Sequence, residues 1–196
     1  MTRFRAKGFT LVELMITVVV AAILLALAAP SFADFFDKYR LRGAADAIVS
    51  TVATARAAAV KADRDVNISF DGTTSAWCLG ANSAVEPSAG ARAEDAKACE
   101  CSNVASTECV VSGQRLVVEL GSHQGVSMSA LPAAIVFDSK LGLVQGMQNR
   151  SATLTSPAGK YVVNVTVNPL GQAFVCVPTT LPAGKRVLTG VQACPV

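Results

Sequence analysis

The chain has 196 residues, with 17 Lys and Arg, 14 Asp and Glu and a single His, which is enough for one modest domain beside a long helix. Arg3, Arg5 and Lys7 account for the net charge of +3; beyond them 14 basic residues balance 14 acidic ones, and from Asp63 onward the count is 9 against 10. That balance excludes an overall electrostatic footprint for a polyanion, and the positive mean hydropathy is raised by one N-terminal stretch.

That stretch runs from Phe9 to Ala29 and is almost wholly apolar. As a helix rising 1.5 Å per residue it would span about 31 Å, close to the hydrocarbon thickness of a bilayer. Basic residues flanking a first membrane helix stay on the cytoplasmic side, so the remainder of the chain is expected on the opposite side of the membrane. Glu13 is the anomaly, since an ionised carboxylate inside such a run costs about 2.5–3.5 kcal/mol unless something pairs with it. A secretory signal peptide cleaved at Ala26-Leu27-Ala28 is the competing reading. Glu13, and a run longer than the usual 7–15 or so residues of a signal core, stand against it.

Lys7-Gly8-Phe9-Thr10-Leu11-Val12-Glu13-Leu14, followed by the apolar run and Pro30, resembles the N-terminus of type IV prepilins and type II secretion pseudopilins. The resemblance implies a leader of residues 1–8, cut by a prepilin peptidase between Gly8 and Phe9, with N-methylation of Phe9. Glu13 then becomes the fifth mature residue. In the family this glutamate neutralises the terminal amine of a neighbouring subunit during assembly, which would supply the partner that its burial requires. The family's helix is also partly melted around the proline in assembled filaments.

Beyond Pro30 the helix is expected to continue to residue 62. Pro30 lacks a backbone donor and should bend or break the rod, with Ser31 and Asp34 placed to cap it again. Leu41, Ala45, Ile48, Val52, Ala55 and Ala59 recur at spacings of four and three, a stripe suited to packing on a sheet; Lys38, Arg42, Asp46 and Ser50 fall elsewhere. Phe32, Phe35, Phe36 and Tyr39 fit interfacial anchoring, subunit contact or packing along the helix equally well.

The rest reads as short strands. Val66–Phe70 alternates, Asp71-Gly72 suggests a turn, and Ala76–Leu79 a returning strand. Gly80–Thr107 has few apolar anchors and reads as a long exposed loop tied down by its cysteines. Leu116–Leu120, Val126–Met128, Ala134–Phe137 and Leu143-Val144 follow as short strands between Gly and Asp-Ser turns. Tyr161–Val167 and Ala173–Val177 flank Asn168-Pro169-Leu170-Gly171, a connection suited to a hairpin. The expected fold is α+β: a lollipop whose long N-terminal membrane-spanning helix packs its distal half on a mainly antiparallel β-sheet. Its expected parts are a leader (1–8), the helix (9–62, membrane span about 9–29) and a periplasmic β-rich domain (63–196).

Cys78, Cys99, Cys101, Cys109, Cys176 and Cys194 form an even set in the expected exported part, where disulfides persist. Six cysteines allow 15 pairings. A bridge from Cys99 to Cys101 would be strained, and Cys99-x-Cys101 lacks the gap and the histidine support of a zinc site. The pilin resemblance implies that Cys176 and Cys194 close a C-terminal loop, leaving the other four to pair among themselves. No metal or cofactor is expected.

Within the superfamily the globular part is similar to the GspH/FimT group. That resemblance rests on Pro30-Ser31-Phe32, Leu41-Arg42-Gly43-Ala44-Ala45, Ala53-Thr54-Ala55-Arg56-Ala57-Ala58-Ala59 and Asp65-Val66-Asn67-Ile68. It continues through Ile135-Val136-Phe137-Asp138 with Gly142, and Val167-Asn168-Pro169-Leu170-Gly171 with Val175-Cys176. Some members take up DNA through a Gly-Arg-x-Arg motif, whose arginines can grip phosphates. The matching positions here are Gly171, Gln172, Ala173 and Phe174, so both arginines are missing. Lys185-Arg186 is the basic pair nearby and reads as a solvated loop. His123 has no second histidine or supporting motif, and no catalytic residue is expected. Glu94-Asp95 reads as solvated charge.

The resemblance implies a non-enzymatic minor pilin of a type IV pilus, in the initiating or tip complex, in the bacterial inner membrane and then in the filament. Its implied partners are other minor and major pilins, the prepilin peptidase and the inner-membrane assembly platform. A type II secretion pseudopilin and a DNA-uptake pilin are the alternatives, the latter disfavoured by the missing arginines.

Overall fold

The computed structural model describes residues 9–83, 98–103, 108–129 and 134–195. Gly8, Glu94-Asp95 and much of the expected loop Gly80–Thr107 lie outside the described residues. The chain divides into two compact units, Met1–Phe36 and Asp37–Val196. A single helix, α1 (Leu11–Ala62), passes through the boundary.

In the first unit α1 is almost wholly apolar from Leu14 to Ala29, and Leu11, Leu14, Val18, Leu24 and Leu25 are all exposed. It is the helix, among the described residues, that is long and apolar enough to cross a membrane. The break expected at Pro30 is not seen, because the helix continues through it, and Ser31 and Asp34 lie inside the helix rather than capping a new one. Phe35 and Phe36 meet edge to face with ring centroids 5.7 Å apart.

In the second unit the same helix is one-sided. Leu41, Ala45, Ile48, Val52, Ala55 and Ala59 are buried in the core, joined by Ala44. Each fully buried Leu, Ile or Val on that face contributes roughly 1.5–3 kcal/mol. The helix ends where Asp63 adopts a left-handed φ of 51° and the Arg64 N–H donates to Ala59 O at 3.1 Å, a Schellman-type stop. Lys140 Nζ donates to Asp63 Oδ1 at 2.7 Å, so the capping residue is also tied to a distant loop.

Two sheets complete the unit. The first has the order β3-β4-β2-β1-β6, the second β10-β8-β7-β5 with β9 also on β8. The strands are β1 (Val66–Thr73), β2 (Ala76–Ser83), β3 (Val110–Val111), β4 (Gln114–Glu119), β5 (Ser127–Ser129), β6 (Ile135–Phe137), β7 (Arg150–Thr155), β8 (Tyr161–Val167), β9 (Ala173–Cys176) and β10 (Arg186–Val187). All pairings are antiparallel except β10 on β8. Val-rich β8 is central to its sheet, as β-branched side chains favour.

Several expectations are corrected. The β1–β2 turn falls beyond Asp71-Gly72, which are paired with Cys78 and Trp77 inside the hairpin. Gly80 lies inside β2 rather than opening a loop, because a Cβ there would strike the Cys99 sulfur; only glycine lets the bridged cysteines lie on the strand. Leu143-Val144 forms no strand, and Val144 makes a single bridge to Phe137. Strands β3, β7 and β10 are additional.

Arg56 locks the helix to the sheet loops. Its Nε donates to Gly142 O at 2.9 Å. Gly171, at φ 76°, lies so close that a Cβ would overlap Gly142 O and come within 2.8 Å of the Arg56 Nε. The β8–β9 turn beside it is built by Asn168, whose Oδ1 accepts the Gln172 N–H at 2.8 Å and whose carbonyl accepts the Gly171 N–H at 2.9 Å. Gly171→Ala should therefore destabilise by about 1–3 kcal/mol from the backbone alone, lowering Tm by roughly 4–10 °C. Thermal unfolding followed by circular dichroism on the detergent-solubilised protein checks this, and an unchanged Tm would refute the locking role.

Candidate assembly segment

The start of α1 is set by Thr10. Its Oγ1 accepts the Glu13 backbone N–H at 3.2 Å, and its carbonyl accepts the Leu14 N–H at 3.2 Å. Thr10-Leu11-Val12-Glu13 thus has the Thr-x-x-Glu form of a capping box, with the hydroxyl half formed. Sequence reasoning treated Glu13 only as a carboxylate needing a partner and missed this spacing. Glu13 lies in the first turn, where the helix dipole favours negative charge. Phe9 is 79% exposed, Glu13 is exposed too, and Pro30 lies within the continuous helix. The segment presents an uncovered apolar surface with one carboxylate near its end, an arrangement suited to lipid or to like helices.

A second carboxylate marks the other unit's first residue. Asp37 is 6% exposed; Ser156 Oγ donates to its Oδ2 at 2.7 Å and the Ala158 N–H to its Oδ1 at 2.7 Å. Ser156 Oγ in turn accepts the Tyr161 N–H at 3.1 Å, so Asp37 fastens the helix to the β7–β8 hairpin. Asp37 had a signal in the sequence. It continues the buried stripe one turn before Leu41.

Asp138 organises the loop that Arg56 engages. Its Oδ1 accepts the N–H groups of Lys140 and Leu141, both at 2.9 Å, and its Oδ2 that of Leu143 at 2.6 Å. Burial alone would raise its pKa, but the N–H groups of Leu141, Leu143 and Lys140 outweigh it and hold the carboxyl below its ordinary value. Asp65 supports the same loop, accepting from the Ser139 N–H and from Gln145 Nε2, each at 2.8 Å.

The cysteines form three bridges: Cys78–Cys101, Cys99–Cys109 and Cys176–Cys194. Ser69 Oγ holds the second by donating to Cys99 O at 2.9 Å and accepting the Cys99 N–H at 2.8 Å. Asp71, Cys78 and Cys101 bring potential ligand atoms within 4.8 Å of one another, but the two sulfurs are bonded together and offer no thiolate. His123 is half-buried, and burial lowers its pKa. Of the four positions matching the DNA-uptake motif, Gly171 is the packed turn glycine, Gln172 Oε1 accepts from Asn168 Nδ2 at 3.0 Å, and Ala173 and Phe174 are half-buried in β9. Lys185 is no simple solvated loop residue, since its Nζ donates to Gly159 O at 2.6 Å, and Arg186 belongs to β10.

Residues 3–29 match the prokaryotic N-terminal methylation motif, which with the apolar helix marks a membrane-anchored, pilin-like protein. Residues 44–171, more than half of the chain, match the family described as type II transport protein GspH. The chain belongs to this GspH/FimT family of pilin-like proteins, whose members are structural subunits that assemble with other pilins. Two crystal structures of the type IV minor pilin FimU of Pseudomonas aeruginosa are similar at 12% identity. One has a TM-score of 0.46 over 72% of this chain and 91% of that one; the other has 0.42 over 68% and 90%. No curated protein matches the chain.

Two substitutions test the supports. Asp37→Ala leaves the Ser156 hydroxyl and Ala158 N–H without their buried acceptor and should cost about 1–3 kcal/mol, read as a lower urea midpoint. For Asp138 the folded pKa is depressed, so its stabilisation is full above the unfolded value of about 3.9 and is lost as pH falls through the folded one. The Tm gap between wild type and Asp138→Asn should then be widest near neutrality and narrow below about pH 4; a gap independent of pH would contradict the ionised cap.

Proposed function

We propose that this protein is a minor pilin of a type IV pilus, held in the bacterial inner membrane with its domain in the periplasm and incorporated near the filament tip as part of the initiating complex. The observation that carries this reading is the coincidence of the methylation motif with an exposed apolar helix bearing Glu13 in its first turn. Prepilin peptidase cuts between Gly8 and Phe9 and the new amine of Phe9 is methylated. Glu13 then pairs with the terminal amine of a neighbouring subunit as the helix of Leu11–Ala29 leaves lipid for the filament. The pairing offsets the cost of a carboxylate in an apolar bundle. Packing among the helices then proceeds through their apolar surfaces. The β-rich domain selects neighbours through its surface, and its bridges fit an oxidising compartment. The family's description as a type II transport protein favours a second reading, a minor pseudopilin of a secretion system.

A deletion strain in a background blocked for retraction separates the two. Loss of surface pili with restoration by the intact gene supports the pilus reading, whereas normal piliation with impaired protein export transfers the subunit to secretion. Glu13→Gln is expected to insert into the membrane normally and to be depleted from sheared filaments by about tenfold or more, the scale of losing one favourable charge pairing of roughly 1.4 kcal/mol or above. Undiminished incorporation would sink the pairing step.

A further inference from the structure

The near-neutral total from Asp63 onward conceals a segregation of charge. From Ser139 to the C-terminus the sequence holds Lys140, Arg150, Lys160, Lys185 and Arg186 and no Asp or Glu. The fold gathers three of these around one corner together with Lys38. Arg186 sits opposite Tyr161 where β10 pairs with the start of β8, and its N–H donates to Lys160 O at 2.7 Å. Lys185 Nζ is fixed on Gly159 O, and Lys38 Nζ stands 4.9 Å from the centroid of the Tyr161 ring. Lys160 and Arg186 are exposed, while Lys38 and Lys185 are half-buried. Two of the four cations are therefore held in place before any partner arrives, which lowers the entropic cost of binding. Asp37 is turned inward onto Ser156 and Ala158. Even counting Asp37, the corner keeps a net positive charge.

The chain itself says what this corner meets. Lys38 follows Ala29, the end of the apolar run, by nine residues. Whatever path those residues take, full extension confines Lys38 to within about 30 Å of Ala29. Anchored by that run, the domain cannot leave the vicinity of the bilayer, and tethering raises the effective concentration of headgroups at the corner. A nucleic acid offers the same phosphate charge but no tether. Tyr161, the aromatic ring at this corner, is buried at 4% exposure beneath Lys38 and offers no platform for stacking bases.

We propose that Lys38, Lys160, Lys185 and Arg186 form a docking face for the headgroups of an anionic phospholipid bilayer, engaged while the subunit waits in the membrane before assembly. The proposal rests on the membrane-anchored reading above. Docking holds the domain against the surface by screened, reversible contacts, and entry into a filament exchanges them for subunit contacts. Each cation near an anionic surface strengthens association about fivefold, and salt within a Debye length weakens it.

The test uses the full chain reconstituted in vesicles, with acetylation of single lysines by a membrane-impermeant reagent followed by mass spectrometry. Lys160 should react about fivefold or more slowly in vesicles containing anionic phosphatidylglycerol than in pure phosphatidylcholine. Lys140, engaged with Asp63, should change little and serves as the internal control. High salt should abolish the protection, as should the double variant Lys38→Gln, Arg186→Gln. Equal rates in the two vesicle types, or protection of Lys160 by duplex DNA but not by anionic lipid, would overturn the docking face. An alkaline carbonate wash keeps the two failures apart. Release of the protein from the vesicles refutes the anchoring, and with it the inference, whereas retention with equal rates refutes docking alone.

Discussion

A single helix has to satisfy two environments in succession, and the rest of the structure follows from that demand. Apart from Glu13 and Thr17, the residues from Leu11 to Ala29 are apolar in every direction, so no protein face is singled out. From Asp37 to Ala62 the apolar positions narrow to one stripe and the other directions carry Lys38, Arg42, Asp46 and Ser50. The stripe needs a cover of its own length, which the two sheets provide. The first part needs lipid or like helices, which lie outside the chain. A helix uniformly apolar from end to end would give the sheets no face to recognise. One amphipathic from end to end would strand polar groups in hydrocarbon.

The domain is joined to this helix at its two ends by polar fasteners set around an apolar middle. At one end Asp37 holds the β7–β8 hairpin, and at the other Arg56 holds the Gly142 loop and the glycine turn after β8. Between them the contacts are those of Leu41, Ile48 and Val52 with the sheet side chains. Hydrophobic burial supplies most of the stabilisation there but is indifferent to small slips along the helix axis. The hydrogen-bonded ends fix the register. Loss of a fastener should therefore disturb alignment as well as stability.

The elements that sequence made legible were those with long, regular patterns. The helix stripe, the alternation of β1, the valine-rich run of β8 and the Asn168–Gly171 turn each follow a local rule clear enough to stand out. Strand β7 did not, because Arg150-Ser151-Ala152-Thr153-Leu154-Thr155 has only Ala152 and Leu154 on its buried side. β3 and β10 are two residues each, too short for any periodicity. Gly80 looked like the opening of a loop because its reason for being glycine, the Cys99 sulfur lying over it, sits far away in sequence. In the candidate segment the motif from Lys7 to Leu14 pointed to Glu13, yet the Thr10 cap beside it was overlooked. Asp37 and Arg56 act through partners far along the chain, and spacing alone could not reveal those pairings.

The Cys176–Cys194 bridge, with its separation of 18 residues, has a mechanical reading. A subunit of a filament transmits tension, and a tail that peeled from β8 could pay out roughly 60 Å of extended chain over that length. Closing the tail on β9 converts it into a ring whose two ends are already joined. Pulling on the remainder of the domain then lengthens nothing within it. Cys78–Cys101 likewise ties β2 to a residue 23 positions further on. With the tail closed in this way, an applied load passes to the helix and sheets.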